Sequence, residues 1–503
     1  MSRPDRRALA SLVLWAALLA FGAAGTAFAA DGVDITTSGG TIRGEARGAG
    51  AVFRGVPFAA PPVGDRRWKP PGPVQPWTGT REASVSGAPC LQRSYGWNVK
   101  DAADSREDCL YLDIRTPNLE PYAPLPVMAW IHGGANRAGS ARGTVESSLV
   151  EQGVVLVSIQ YRLGAFGFLS HPGLTAEGDG ASGNYALMDQ IAALRWVRDN
   201  IARFGGDPGN VTIFGHSAGG QDVGLLMVAP QARGLFHKAI EQSGTAGFGL
   251  PPRTLAQNEE LGEDLARTLG VKDLAGLRAA SGPAVLDAAD GLKPSIPDDG
   301  FIWLQAVVDG AVIREAPAKT LAAGRQARVP LIIGNSAHEL SLYGGAANAR
   351  NWINTNYGAG AGRALAFYGI EGEAPVSDQT ADQIAANAGF RCPAIWVAAR
   401  QVETGARVWR YELSAAAPGS GAVRHGSELA FVFDTPPAGS TPYTWSSLQA
   451  HWANFARTGD PNGAGLTPWP TAGAMGVVQD FTPSGAFPSR GGHEALCRLL
   501  PRP

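Results

Sequence analysis

The pentapeptide Gly215-His216-Ser217-Ala218-Gly219 sets a serine among small residues in the pattern G-x-S-x-G. Alone the pattern carries little weight; its setting carries more. The apolar run Val211-Thr212-Ile213-Phe214 precedes it, and a helical segment, Gly219 to Val228, follows. A strand–turn–helix elbow lifts a serine oxygen out of the sheet and aims a helix N-terminus at developing negative charge. A hydroxyl is a weak nucleophile at neutral pH, so a base must take its proton.

The chain has eight His, at 132, 171, 216, 237, 338, 425, 451 and 493. This elbow implies the chain order Ser, then acid, then His. His425 sits in the Gly-containing loop Arg424-His425-Gly426-Ser427, after a strand at 407–411. That is where a base-bearing loop belongs. His451, beside Trp452 and Phe455, reads as structural, and the elbow is expected to turn His216 elsewhere. Glu339 lies five residues past the strand Pro330 to Gly334, where a carboxylate would hold the imidazole tautomer. Asp298, Asp299 and Asp309 compete, without so clear a strand before them. His132-Gly133-Gly134-Ala135 directly follows another strand. Its backbone amides, with that of the residue after the serine, suit an oxyanion.

The elements that must position these residues are legible as well. Val127 to Ile131 and Val154 to Ile159 are continuous apolar runs of strand length. Leu187, Ile191, Leu194, Val197 and Ile201 recur at helical spacing within 184–203. Strands alternating with helices predict an α/β fold, a mostly parallel sheet covered by helices on both faces. Residues 31–125 mix short strand-like pieces with many Pro and Gly, Val52 to Pro76 reading as an irregular N-terminal wrap, and 250–325 reads as a helical insertion.

With 503 residues, 45% of them hydrophobic, the chain is long enough for a sizeable core. A net charge of −2 argues against a partner held through its phosphates, so no nucleic acid is expected. Arg3, Arg6 and Arg7 precede an apolar stretch that ends in Ala27-Phe28-Ala29, as in a cleaved signal peptide spanning 1–29. Residues 30–503 are then expected to form one domain, secreted or periplasmic, without a membrane span. The alternative is a retained N-terminal anchor. Export places the four Cys in an oxidising compartment. Cys90 pairing with Cys109 is the simplest local loop and leaves Cys392 with Cys497; four reduced thiols are the alternative. No C-x-x-C or H-x-x-x-H occurs, and the chemistry foreseen needs neither a metal nor an organic cofactor.

Together these residues carry a resemblance to the type-B carboxylesterases, the cholinesterase-like branch of the α/β-hydrolases, and to a secreted member of bacterial type. It runs from about 33 to 498. It rests on Phe53 to Ala59 with Pro61, Pro62 and Trp68, on Glu107 to Asp113, Tyr161 to Phe168, Asn184 to Gly220, Gln242-Ser243-Gly244 and Trp452 to Asn462. The resemblance implies ester hydrolysis through an acyl-enzyme on Ser217, with Glu339 as acid and His425 as base. It implies an oxyanion hole of the Gly134, Ala135 and Ala218 amides, and disulfides Cys90–Cys109 and Cys392–Cys497. The partner is then a small-molecule ester. The same residues would serve a specialised ester, lactone, carbamate or amide. Relatives lacking the nucleophile act as binding proteins, but all three residues are present here.

Four departures stand out. His216 replaces the usual Glu before the serine. Glu339 sits in His338-Glu339-Leu340 rather than Asp-Glu-Gly. Asn136 replaces the aromatic residue common after the oxyanion glycines. Residues 340–424 are shorter than usual, which argues against cholinesterase activity.

Overall fold

The computed structural model describes residues 32–500, apart from 247–249, 294–298, 418–419, 434–441 and 474–475. The segment 1–29 lies outside the described residues. One sheet of thirteen strands takes strands from nearly the whole length of the described chain. They are β1 (Gly32–Thr36), β2 (Thr41–Arg47), β3 (Gly50–Pro57), β4 (Thr80–Glu82), β5 (Tyr111–Thr116), β6 (Leu125–Ile131) and β7 (Val155–Ile159). After them come β8 (Gly206–His216), β9 (Lys238–Gln242), β10 (Leu331–Ser336), β11 (Val408–Leu413), β12 (Val477–Thr482) and β13 (Gly485–Arg490).

The order across the sheet is β1-β2-β3-β5-β7-β6-β8-β9-β10-β11-β12-β13, with β4 beside β2. From β7 through β12 every neighbour is parallel. Both outer parts are antiparallel apart from β4, which runs parallel to β2: β1, β2, β3, β5 and β7 on one side, the β12–β13 hairpin on the other. The predicted parallel centre is thus present, and the short strand-like pieces expected in 31–125 are β1 to β5. β-branched and aliphatic residues dominate β6, β7 and the second half of β8, and these runs are buried apart from Leu125 at the start of β6. A strand covered on both faces has no polar side to alternate with.

Helix α1 (Tyr185–Asn200) realises the predicted stripe: Leu187, Ile191, Leu194 and Val197 are all buried. Helix α2 (Ala218–Val228) follows β8 directly and is buried along its whole length. Helices α3 (Ser427–Phe433) and α4 (Pro442–Thr458) lie between β11 and β12. The insertion expected at 250–325 holds helices at Leu255–Leu269, Leu274–Ala279, Gly282–Asp290 and Pro317–Ala322. Cys90 is bonded to Cys109 and Cys392 to Cys497, with Cα separations of 4.9 and 5.1 Å.

Glu241, on β9, is buried, and among the described residues neither carboxyl oxygen has a hydrogen-bond partner. It faces α2: a methyl group on Gly224 would lie 3.2 Å from its Oε1. Burial pushes this carboxyl well above the usual carboxylate range, so it carries a proton in the fold. In the unfolded chain it ionises near its ordinary value. Stability is therefore lost as pH rises from that value towards the folded one. Glu241→Gln keeps the shape and removes this penalty. Thermal melts are expected to show Tm raised by about 2 °C or more at pH 8 and by much less at pH 5.

Candidate active site

Ser217 occupies the junction of β8 and α2 with φ 58° and ψ −124°, a conformation rare for a residue with a side chain. Its N–H donates to the Gln242 carbonyl at 2.8 Å, and its carbonyl accepts from Gln221 N–H at 2.9 Å. The turn is over-determined by close backbone approach. A Cβ on Gly244 would lie 2.0 Å from the Ser217 carbonyl oxygen. A Cβ on Gly133 would lie 3.1 Å from the Ser217 Cβ, so only glycine lets the turn after β6 reach the serine.

That turn runs through Gly134, Ala135 and Asn136, all with positive φ. The Gly134 carbonyl accepts from the Arg137 and Ala138 amides at 3.1 and 3.0 Å. Among the described residues, no backbone carbonyl accepts from the amides of Gly134, Ala135 or Ala218. Ala218 is the first residue of a helix, where an amide has no partner within the helix. Three donors thus remain free at one turn-and-helix junction.

Asn136 is fully buried and plays a part its departure from the family pattern did not suggest. Its amide donates to Asp222 Oδ1 at 3.0 Å, and Gln190 donates to Oδ2 at 2.6 Å. Burial pushes the Asp222 carboxyl up to about 7. Tyr161 Oη donates to the His132 carbonyl at 2.6 Å. Asn136 therefore ties the turn after β6 to α2, which carries Asp222.

Glu339, three residues past β10, is buried. Its Oε2 lies 2.5 Å from His425 Nδ1. Its Oε1 accepts from Ser336 N–H and from Ser243 Oγ, both at 2.8 Å. For His425, burial works against the imidazolium, but the charge and hydrogen bond of Glu339, with Glu428 behind it, hold the imidazole above its ordinary value.

His216 corrects an expectation. The elbow does not turn it elsewhere: its ring lies 4.5 Å from the His425 ring, centroid to centroid. A Cβ on Gly426 would sit 3.3 Å from its Cε1. The loop after β11 therefore lays its glycine against His216 and brings His425 to the residue preceding Ser217. Burial, and then the charge of His425, push His216 well below the usual histidine range, so it is neutral.

Of the rival acids, Asp309 is spent on its own turn, accepting from the amides of Ala311, Val312 and Ile313. Asp298 and the Asp299 side chain lie outside the described residues. His451 Nδ1 donates to the Pro461 carbonyl, 2.8 Å away, and is buried against Trp469 and Phe481. Beside the serine is an apolar wall. Ala218, Leu304 and Phe390 are buried together, with Ala135, Leu250, Phe301 and Leu340 packed on them. The Phe390 ring stands 5.1 Å from that of His425.

Residues 31–477 match the Carboxylesterase family. The chain belongs to the carboxylesterase family. Its relatives include a fumonisin B1 esterase of Sphingopyxis macrogoltabida, 32% identical over 94% of this chain and 91% of that protein. Carboxylesterase 4A of Bos taurus is 35% identical over 86% and 88%. A solved PNB esterase superposes with a TM-score of 0.80 at 29% identity, covering 93% of this chain and 99% of its own. A carboxylesterase of Geobacillus stearothermophilus gives 0.79 at 32% identity, covering 93% and 100%. The fold is accordingly that of the α/β-hydrolases, and this carboxylesterase is a serine hydrolase of carboxylic esters.

The sequence alone missed three polar groups of this site: Ser243, Ser336 and Glu428. Ser243 lies inside a quoted motif, Gln242-Ser243-Gly244, and Glu428 follows His425 at helical i+3 spacing. Those two signals were available. Ser336, at the end of a strand, had none.

Proposed function

We propose that Ser217, Glu339 and His425 are the catalytic triad of this carboxylesterase, and that the amides of Gly134, Ala135 and Ala218 form its oxyanion hole. The observation that carries this reading is the 2.5 Å contact of His425 Nδ1 with the buried Glu339 carboxylate. That contact fixes which ring nitrogen holds the resting proton, so Nε2 is left as the basic atom.

His425 takes the Ser217 proton as Oγ attacks the ester carbonyl. The carbonyl oxygen becomes an oxyanion on the three amides. Collapse breaks the C–O bond, and the alcohol leaves with the proton from His425. Water then attacks the acyl-enzyme, giving its proton to His425, and the acid leaves as Ser217 recovers that proton. Glu339 faces the imidazolium at both stages.

The apolar wall of Phe390, Leu304 and Leu340 supports esters with short to medium hydrocarbon acyl chains. Lactones, carbamates and amides would meet the same residues. The name of the Sphingopyxis relative makes a specialised ester a second reading. Residues 30–503 are read as one catalytic unit, exported after loss of 1–29; the two disulfides support an oxidising compartment. Among the described residues, no helix is long and apolar enough to cross a membrane.

An organophosphate probe tests the nucleophile directly. One equivalent is expected to abolish hydrolysis of a p-nitrophenyl butyrate-type ester and to add its phosphoryl mass to the tryptic peptide holding Ser217. Full inhibition with the label on another residue would overturn the assignment.

A further inference from the structure

The turn after β6 can serve an oxyanion only while its amides stay free, so it must be held in place through other groups. Its carbonyls and its side chains do this. The His132 carbonyl accepts from Tyr161 Oη, and the Asn136 carbonyl from Gly164 N–H, both at 2.6 Å. Past the turn, Gln92 grips Gly139: its Oε1 accepts from the Gly139 N–H and its Nε2 donates to the Gly139 carbonyl, both at 2.8 Å. Between these points the Asn136 side chain reaches across to α2, where its Nδ2 donates to Asp222 Oδ1 at 3.0 Å.

Asp222 is built to hold that bond. It is fully buried on α2, and each of its carboxyl oxygens faces a side-chain amide, one from Asn136 and the other from Gln190 of α1. Hydrogen bonds to an ionised group are the stronger kind. Asn136 suits both of its tasks. Asn is one of the few residues with a side chain that enter the left-handed region readily, and its φ is 54°. Its Oδ1 lies 3.4 Å from Tyr161 Oη, the hydroxyl that also serves the His132 carbonyl. An aromatic side chain at 136, the type common in the family, would leave Asp222 Oδ1 buried without this donor.

We propose that Asn136 is a positioning residue for the oxyanion hole: its bond to Asp222 fixes the turn that carries the Gly134 and Ala135 amides against the helix that carries the Ala218 amide. This inference rests on the oxyanion-hole reading above. The three amides come from two separate elements, and an oxyanion needs them to converge on one point. A shift of the turn against α2 by about 1 Å lengthens the bonds from two of the three donors and leaves Phe390 and Leu304 in place. Binding of the ester then changes little. The loss falls on the step in which negative charge appears on the carbonyl oxygen.

The test compares wild type, Asn136→Gly, Asn136→Asp and the exchange Asn136→Asp with Asp222→Asn. It is run at pH 8, above the value of about 7 to which burial pushes the Asp222 carboxyl. Each protein gives kcat and KM on p-nitrophenyl butyrate and inhibition constants for two ketones. Ser217 Oγ adds to the carbonyl carbon of a trifluoromethyl ketone, its proton passes to His425, and the ketone oxygen becomes an oxyanion. The matching methyl ketone binds as an unreacted ground state. Glycine accepts φ 54° without strain, so Asn136→Gly removes the tether alone. Its kcat is expected to fall about 10²-fold with KM changed by less than about threefold. The trifluoromethyl ketone should weaken by a similar factor and the methyl ketone hardly at all. Asn136→Asp sets two carboxyls against each other and should lose as much. The exchange restores a carboxylate facing an amide with the roles reversed, and Gln190 can still donate to the oxygen of that amide. Its kcat should return to within about tenfold of wild type. A kcat in Asn136→Gly within about threefold of wild type overturns the inference, and so does an equal weakening of both ketones, which is what loss of packing would give. An exchange no more active than Asn136→Asp overturns it too, and this comparison decides if Asn136→Gly fails to fold by circular dichroism. Failure of the underlying reading is separable: it would appear in wild type itself, as the two ketones binding alike.

Discussion

Ser217→Ala is expected to lower kcat on simple esters by about 10⁶-fold, with KM and the melting temperature little changed. The size follows from what is lost. Without Oγ no acyl-enzyme forms, and His425 has no serine proton to move. What survives is the oxyanion turn and the apolar wall, which can still bind an ester and polarise its carbonyl. Such a remnant is worth about 10³-fold over water. Burst kinetics checks the point: wild type should release one equivalent of alcohol faster than steady turnover where deacylation limits, and the variant none. Ser217 holds a strained backbone conformation with or without its hydroxyl. The variant should therefore keep the fold, and a large loss of stability would point to a structural serine instead.

The second large effect is Glu339→Gln, expected to cost about 10³–10⁴-fold in kcat. The replacement is nearly isosteric, so the contacts to Ser336 N–H and Ser243 Oγ can persist. The 2.5 Å contact with His425 changes in kind. An amide cannot stabilise the imidazolium by charge, and its NH₂ can turn the ring to the unproductive tautomer. With the carboxylate gone, the force that raises His425 above its ordinary value is also removed. The acid limb of kcat/KM should therefore shift to lower pH even as the plateau falls. Steady-state rates from pH 5 to 9 give both numbers. A plateau within tenfold of wild type would remove Glu339 from the triad.

Much of this arrangement was legible before any coordinates, for identifiable reasons. Ser217 could be read because a nucleophile elbow constrains five consecutive residues and both flanking elements. The parallel centre could be read because strands buried on both faces become unbroken apolar runs, as in Val127 to Ile131. Glu339 and His425 were harder, since their contact spans 86 residues of chain and is made by loops. Chain order and strand ends narrowed the choice, and the family resemblance completed it. His216 was misjudged, and the contact of Asn136 went unread, because a side chain's neighbours across the sheet leave no trace in local spacing. Asn136 meets Asp222 86 positions away, and His216 meets a loop more than 200 positions on. Buried polar contacts between distant segments are set by tertiary packing, which a one-dimensional pattern does not encode.

The two ends of the sheet bear on how this enzyme behaves in concentrated solution. A row of unpaired backbone groups at a sheet edge is a template on which another chain can add. Here the apolar parallel strands are nowhere at the rim. The last strand, β13, carries Pro488, which lacks an N–H, and its residues from Phe487 to Arg490 are exposed. At the other rim, Asp34 on β1 is paired with Arg43 on β2 at 2.6 Å, setting charge along that margin. Strand addition between copies meets a missing donor at one margin and charge at the other. The hairpins at the two ends of the sheet thus leave its apolar parallel strands without a free edge on which another chain could add.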